Sequence, residues 1–241
     1  MPRFYTPDAL IAGATAALPE AVAHHIRVLR LEPGAPLTLF NGDGNNYDAI
    51  LAAVDKRSAS AHVAQATAHD VELPYPVTLA QALPEASKMD WIIEKAVELG
   101  VAAVQPLLAQ RCVVRLSGER AEKRLAHWQG VIVAASEQSG RTRLTGLSAV
   151  EDVNKWLARE AAQPTILLSP RGTQSLASWA GANPAQAITL MVGPEGGFTP
   201  AEEDAAIARG ALALSMGPRI LRTETAALAA MAMLGGLWGG M

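Results

Sequence analysis

The chain has 241 residues, with 20 Lys+Arg against 23 Asp+Glu, a formal net charge of −3 and 50% hydrophobic residues. This composition excludes intrinsic disorder, collagen and a disulfide-stapled miniature, and the length allows a small domain joined to a medium one, each able to bury a core. A charge near zero also excludes a protein that coats nucleic acid indiscriminately, so any nucleic-acid site must be local.

The single Cys112 cannot pair within the chain, and the start Met1-Pro2-Arg3-Phe4-Tyr5-Thr6-Pro7-Asp8 has no apolar signal core. Both features read as a cytoplasmic protein. In the first seventy or so residues, Leu37–Phe40, the turn Asn41-Gly42-Asp43-Gly44-Asn45-Asn46 and Tyr47–Leu51 spell a β-hairpin. A weak alternation from Ala59 to Thr67 adds a further strand. Prolines around Leu73-Pro74-Tyr75-Pro76 then punctuate the chain, which places a boundary between a β-rich module, 1–72, and a larger one, 73–241.

From Val77 the pattern is α/β. Val77–Leu83 is a short apolar strand, and Ser87 with Asp90 three residues on is a weak capping box. The helix that follows repeats apolar residues at Met89, Ile92, Ile93, Ala96 and Val97, and Gly100 ends it. Lys88, Glu94, Lys95 and Glu98 fall on its wetter side. Val101–Leu108 is the next strand and Ala121–Glu137 a second helix. Thr165–Leu168 and Ile188–Val192 are continuous apolar runs, as expected of parallel strands buried on both faces.

The second of these runs delivers Gly193-Pro194-Glu195-Gly196-Gly197-Phe198, and Thr199-Pro200-Ala201-Glu202 then starts a helix, with Thr199 as N-cap and Glu202 closing a capping box. After Gly210, Ala211–Leu214 is another short strand, leading into Ser215-Met216-Gly217-Pro218-Arg219-Ile220-Leu221-Arg222 and a last helix. No charge occurs from Thr225 to Met241, but this Ala-, Gly- and Met-rich stretch falls short of the about 18 strongly apolar residues of a membrane span and reads as a closely packed helix. The strand at Ile166 ends in Leu168-Ser169-Pro170, so three strand ends carry irregular loops at the pole where α/β proteins bind ligands. The glycine loop lacks the Gly-Lys-Ser/Thr ending of a P-loop and the Gly-x-Gly-x-x-Gly spacing of a dinucleotide fold, which excludes an ordinary kinase or dehydrogenase. His24 and His25 have no companions at metal-ligand spacing, so no metal site is expected.

Gly193–Phe198 followed by Gly217-Pro218-Arg219-Ile220-Leu221-Arg222-Thr223-Glu224-Thr225-Ala226 resembles the signature of the RsmE family, the ribosomal RNA small subunit methyltransferases E of the SPOUT class. The resemblance extends to Lys88–Gly100, Glu137-Gln138-Ser139-Gly140-Arg141, His24-His25-Ile26-Arg27-Val28-Leu29-Arg30-Leu31 and the Leu39-Phe40-Asn41-Gly42 hairpin, nearly the whole chain. It implies an α/β fold: a C-terminal SPOUT domain with a mostly parallel sheet and a deep trefoil knot, behind a small N-terminal PUA-like β-barrel that grips RNA. The implied activity is methyl transfer from S-adenosylmethionine to N3 of a uridine in 16S ribosomal RNA, within the small ribosomal subunit, by a homodimer without metal or membrane. A ribose 2′-oxygen methyltransferase of the same class and a non-catalytic RNA-binding relative are the rivals.

The same resemblance places the methyl donor against three loops: Leu168, Ser169 and Pro170; Gly193, Pro194, Glu195, Gly196 and Gly197; and Leu214, Met216, Gly217, Ile220 and Leu221. Uridine N3 must lose its proton while negative charge builds on O2 and O4, which calls for a base or a nearby cation. Arg222 is the first choice for that cation and Arg219 the second. Glu195 and Glu224 are alternatives as base, each equally able to cap a helix or pair with a cation. Arg27, Arg30 and Arg141 lie inside family motifs and are the expected RNA contacts, whereas Lys123 and Arg124 read as a solvated helix face.

Overall fold

A computed structural model describes residues 1–85 and 87–240. These form two compact units, one of Met1–Glu72 with Ser136–Leu144, the other of Leu73–Ala135 with Thr145–Met241.

The first unit holds β1 (Arg3–Tyr5), β2 (Thr15–Leu18), α1 (Glu20–Val28), β3 (Pro36–Phe40), β4 (Asn45–Val54) and β5 (Ala59–Ala68). They make a five-stranded sheet in the order β1-β3-β4-β5-β2. The hairpin expected from the glycine-rich turn is present: Leu39 faces Tyr47 across antiparallel β3 and β4, and Gly42 and Gly44 take φ of 95° and 98°. Asp43 organises the turn, accepting from Asn45 N at 2.8 Å and from Tyr47 Oη at 2.6 Å. Phe4, Ile26, Leu37, Leu39, Leu51 and Val63 fill its core. Helix α1 ends in a left-handed turn, with Arg30 N donating to Arg27 O and Leu31 N to Ile26 O.

In the second unit the chain runs β6 (Val77–Ala82), α2 (Lys88–Glu98), β7 (Ala103–Leu108), α3 (Gly118–Ser139, its last turn counted with the first unit), β8 (Gly146–Leu147), β9 (Glu151–Asp152), α4 (Val153–Leu157), β10 (Thr165–Leu168), β11 (Gln174–Ser175), α5 (Leu176–Ala182), β12 (Ile188–Val192), α6 (Pro200–Ala208), β13 (Leu212–Ser215) and α7 (Thr223–Trp238). The sheet order is β11-β13-β10-β12-β6-β7-β8, with β9 also beside β7, and the pairs are parallel. Every residue of β12 is buried, as its unbroken apolar run requires.

Thr199 caps α6 as expected, with the reciprocal bond from Glu202. Ser87 does not cap α2: at φ −92° and ψ 8° it lacks the extended backbone of a capping residue and forms no side-chain bond there, and the Asp90 carboxylate instead accepts from Trp128 Nε1 and meets His127 Nε2, both at 2.9 Å. Gly100 ends α2 and Gly210 ends α6 in the left-handed conformation, at φ of 84° and 88°. Helix α7 is a packed helix: Ala227, Ala230, Met231 and Leu234 are buried. Its Trp238 donates to Ala180 O and stacks edge-on against Tyr75. Among the described residues no helix is long and apolar enough to cross a membrane.

Candidate functional site

Strands β13, β10 and β12 are neighbours, so the loops leaving their C-terminal ends meet at one pole of the sheet. They enclose a cavity of about 390 Å³. That is within the range of small-molecule sites, about 300–1,000 Å³. Leu168, Ser169 and Pro170, then Gly193 to Gly197, then Met216, Gly217, Ile220 and Leu221 all line it. Leu214 does not. It is buried behind the wall, and its carbonyl accepts from Ser169 N at 3.0 Å.

The glycine loop is held from several sides. Gly193 lies so close to the returning chain that a Cβ there would sit 2.9 Å from Phe198 N. Its carbonyl accepts from Thr223 Oγ1 at 2.5 Å. Lys88 Nζ, from the start of α2, pairs with Glu195 at 2.5 Å, and Glu85 N donates to the same carboxylate oxygen. Arg111 Nη1 donates to Gly196 O at 2.8 Å and to Phe198 O at 3.3 Å. Its stem crowds position 196, where a Cβ would come within 3.3 Å of Arg111 Cδ.

Partial burial works to raise the pKa of Glu195, but the bond from Lys88 and those from the backbone outweigh it and hold the carboxyl below its ordinary range. A carboxylate so stabilised is a weak proton acceptor. Glu224, in the first turn of α7, has its Oε2 buried without a hydrogen-bond partner among the described residues. Arg219 is exposed and lines the cavity. Arg222 is exposed beside it, between the lining residues Leu221 and Thr223. Neither guanidinium has an ion pair among the described residues, so both charges remain available to a ligand.

Among the lining residues outside the expected set, Glu203 and Thr223 are buried and polar. Glu203 is buried; its carboxylate accepts from Ser169 Oγ at 3.1 Å and from Arg171 Nη1 at 3.1 Å, fixing the loop after β10 to α6. Thr223 is buried and accepts from the wholly buried Gln81. A polar residue inside the apolar run Val77–Leu83 was the available signal.

In the first unit the three expected RNA contacts separate. Arg27 and Arg30 are exposed at the end of α1, with Arg27 Nη1 donating to Lys56 O at 3.1 Å. Arg141 is buried, giving Nε to Glu72 Oε1 at 3.0 Å and Nη2 to Glu72 Oε2. Its guanidinium thus serves the unit's own architecture. Among the described residues no cluster suits a metal ion.

A family described as an RNA methyltransferase domain matches residues 71–235, and one described as an RNA methyltransferase PUA domain matches 18–63. Ribosomal RNA small subunit methyltransferase E of a Synechocystis strain is 36% identical over 94% of this chain and 75% of its own length. The Bacillus subtilis protein of that name is 32% identical over 89% and 87%. Among solved structures, a ribosomal RNA small subunit methyltransferase E from Neisseria gonorrhoeae bound to S-adenosyl methionine is 41% identical, with a TM-score of 0.92 over 99% of this chain and 98% of that one.

Proposed function

The chain belongs to the ribosomal RNA small subunit methyltransferase E family, and we propose that it methylates N3 of a uridine in 16S ribosomal RNA, with S-adenosylmethionine held in the strand-end cavity. The observation that carries the assignment to this cavity is the convergence of three loops around about 390 Å³ with two unpaired arginines at the mouth. The residues fit the cofactor: Leu168, Met216, Ile220 and Leu221 offer apolar walls for an adenine, and the glycines let backbone groups approach it.

When bound, S-adenosylmethionine supplies a methyl group on a positively charged sulfur. The chain's own residues must then hold the uridine and manage its proton. Loss of that proton places negative charge on O2 and O4, and the free guanidinium of Arg222, with Arg219 beside it, stabilises that charge. Glu195 anchors the glycine loop through Lys88, a role its depressed pKa supports over that of base. Arg27 and Arg30 contact RNA phosphates; Arg141 does not.

We further infer a homodimer acting on the assembled small subunit in the cytoplasm. Ile220 lines the cavity yet is 86% exposed, and Trp91 and Leu237 of the same unit are also half-exposed, apolar side chains of the kind a second copy would cover. The second unit is further inferred to carry the trefoil knot implied by the family; the loop after β10 runs so close to β13 that a Cβ on Gly172 would fall 2.7 Å from the backbone of Leu214.

The test is transfer of labelled methyl from S-adenosylmethionine to small subunits that lack the modification, with the nucleoside identified by mass and retention, and with the enzyme's mass in solution determined alongside. Wild type is expected to yield 3-methyluridine as a particle of twice the chain mass. Arg222→Ala is expected to bind cofactor normally and to lose about 10²–10³ in rate. A 2′-O-methylated nucleoside, or undiminished rate in the variant, would overturn the assignment.

A further inference from the structure

Gln81 lies in β6 with no solvent exposure at all. Its Nε2 donates to Ala82 O at 2.8 Å and to Thr223 Oγ1 at 2.9 Å. Thr223 in turn donates its hydroxyl to Gly193 O at 2.5 Å. A threonine hydroxyl carries one hydrogen. With Gln81 donating to its oxygen, that hydrogen is directed to the Gly193 carbonyl, so the order of donors along the three residues is fixed.

The relay joins the two segments on which the reaction depends. Gly193 opens the glycine loop and lines the cavity, as does Thr223, and Thr223 is the first residue of α7, directly after Arg222. We propose that Gln81 is a positioning residue that sets the cofactor loop and Arg222 in one register. This rests on the methyltransferase reading above.

The feature that separates this role from simple packing is the other end of the amide. Gln81 Oε1 is buried with no partner among the described residues. An unmet buried acceptor destabilises a fold, and an apolar side chain of similar volume would remove that defect. That relief offsets the loss of the bonds to Ala82 O and Thr223 Oγ1, so the glutamine adds little to stability on balance. Positioning is the compensating gain, since misplacing reacting groups by about 1 Å can cost about 10²-fold in rate.

The variants are Gln81→Leu, Thr223→Val and Thr223→Ser in the full chain. Gln81→Leu is expected to change the melting temperature little while single-turnover methylation of small subunits falls about 10–100-fold and the dissociation constant for S-adenosylmethionine changes far less. Thr223→Val should match it, the double variant Gln81→Leu/Thr223→Val should be no slower than Thr223→Val alone, and Thr223→Ser should retain the wild-type rate. Independently of activity, amide exchange should quicken in Gln81→Leu at both 193–198 and 222–226 and not elsewhere. Unchanged exchange in those two segments overturns the relay, as does a wild-type rate in Gln81→Leu. An inactive wild type in which the coupled exchange still appears would count against the substrate reading and for the relay.

Discussion

Arg30 occupies a backbone conformation that an L residue adopts at a cost. It stands at φ 55°, the left-handed position that Gly100 and Gly210 fill at the ends of α2 and α6 with the same pair of backbone bonds. The molecule therefore uses glycine at two such turns and arginine at the third. A strained, exposed cation is evidence of a task outside the fold. Arg30→Gly should stabilise the protein by about 1 kcal/mol, seen as a melting temperature higher by roughly 2–4 °C, while binding to small-subunit RNA weakens. Equal RNA affinity in the variant would remove Arg30 from the contact surface. The sequence identified Arg30 and Arg141 on equal terms, as basic residues inside family motifs. Only burial tells them apart, because the partner of Arg141, Glu72, lies 69 residues away along the chain.

Elements meet at the glycine loop, and the Lys88–Glu195 pair joins the start of α2 to it. The folded pKa of Glu195 lies below its unfolded value, so the unfolded chain takes up its proton first as pH falls. The pair's contribution is complete at neutral pH and is lost as pH drops through the ordinary carboxylate range to the lower, folded pKa. Glu195→Gln should accordingly flatten the acid limb of a stability-against-pH curve in and below the ordinary carboxylate range. A limb as steep as in wild type would show that the pair contributes nothing to folding. Much of this region was legible beforehand, since Thr199, Pro200 and Glu202 announce a helix start by local chemistry alone. The capping box read at Ser87 does not form: Ser87 lacks the extended backbone of a capping residue, and the Asp90 carboxylate is used by Trp128 and His127, on a helix that local sequence does not reveal as a neighbour. Likewise the hairpin β3–β4 follows from its turn, whereas the parallel pairing of β1 with β3 has no local signal.

At the scale of the whole molecule, the first unit is built from two separate stretches of chain. Residues 136–144 supply Glu137, which accepts from Tyr5 N at 2.9 Å, and Thr142, whose hydroxyl donates to His69 O at 2.7 Å. They also supply the backbone oxygens of Gly140 and Arg141 that receive Arg3 Nη2, and the guanidinium that pairs with Glu72. A unit of this size has roughly 4–11 kcal/mol of stability in total. A hydrogen bond contributes about 0.5–1.5 kcal/mol and one to a charged group about 1.5–3 kcal/mol, so the bonds lost with 136–144 are a large share of that total. A fragment of residues 1–72, cut at the prolines, would keep the five strands, the apolar core and the bond from Arg3 Nη1 to Asn46, but would leave Glu72, Arg3 Nη2 and the Tyr5 amide without these partners. It should therefore show a poorly dispersed amide spectrum and low protection from exchange. The same fragment with 136–144 attached through a short flexible linker should recover a dispersed spectrum and bind RNA. A fully folded 1–72 fragment would mean that the apolar core suffices, and that the return of the chain after α3 matters to something other than the stability of this unit.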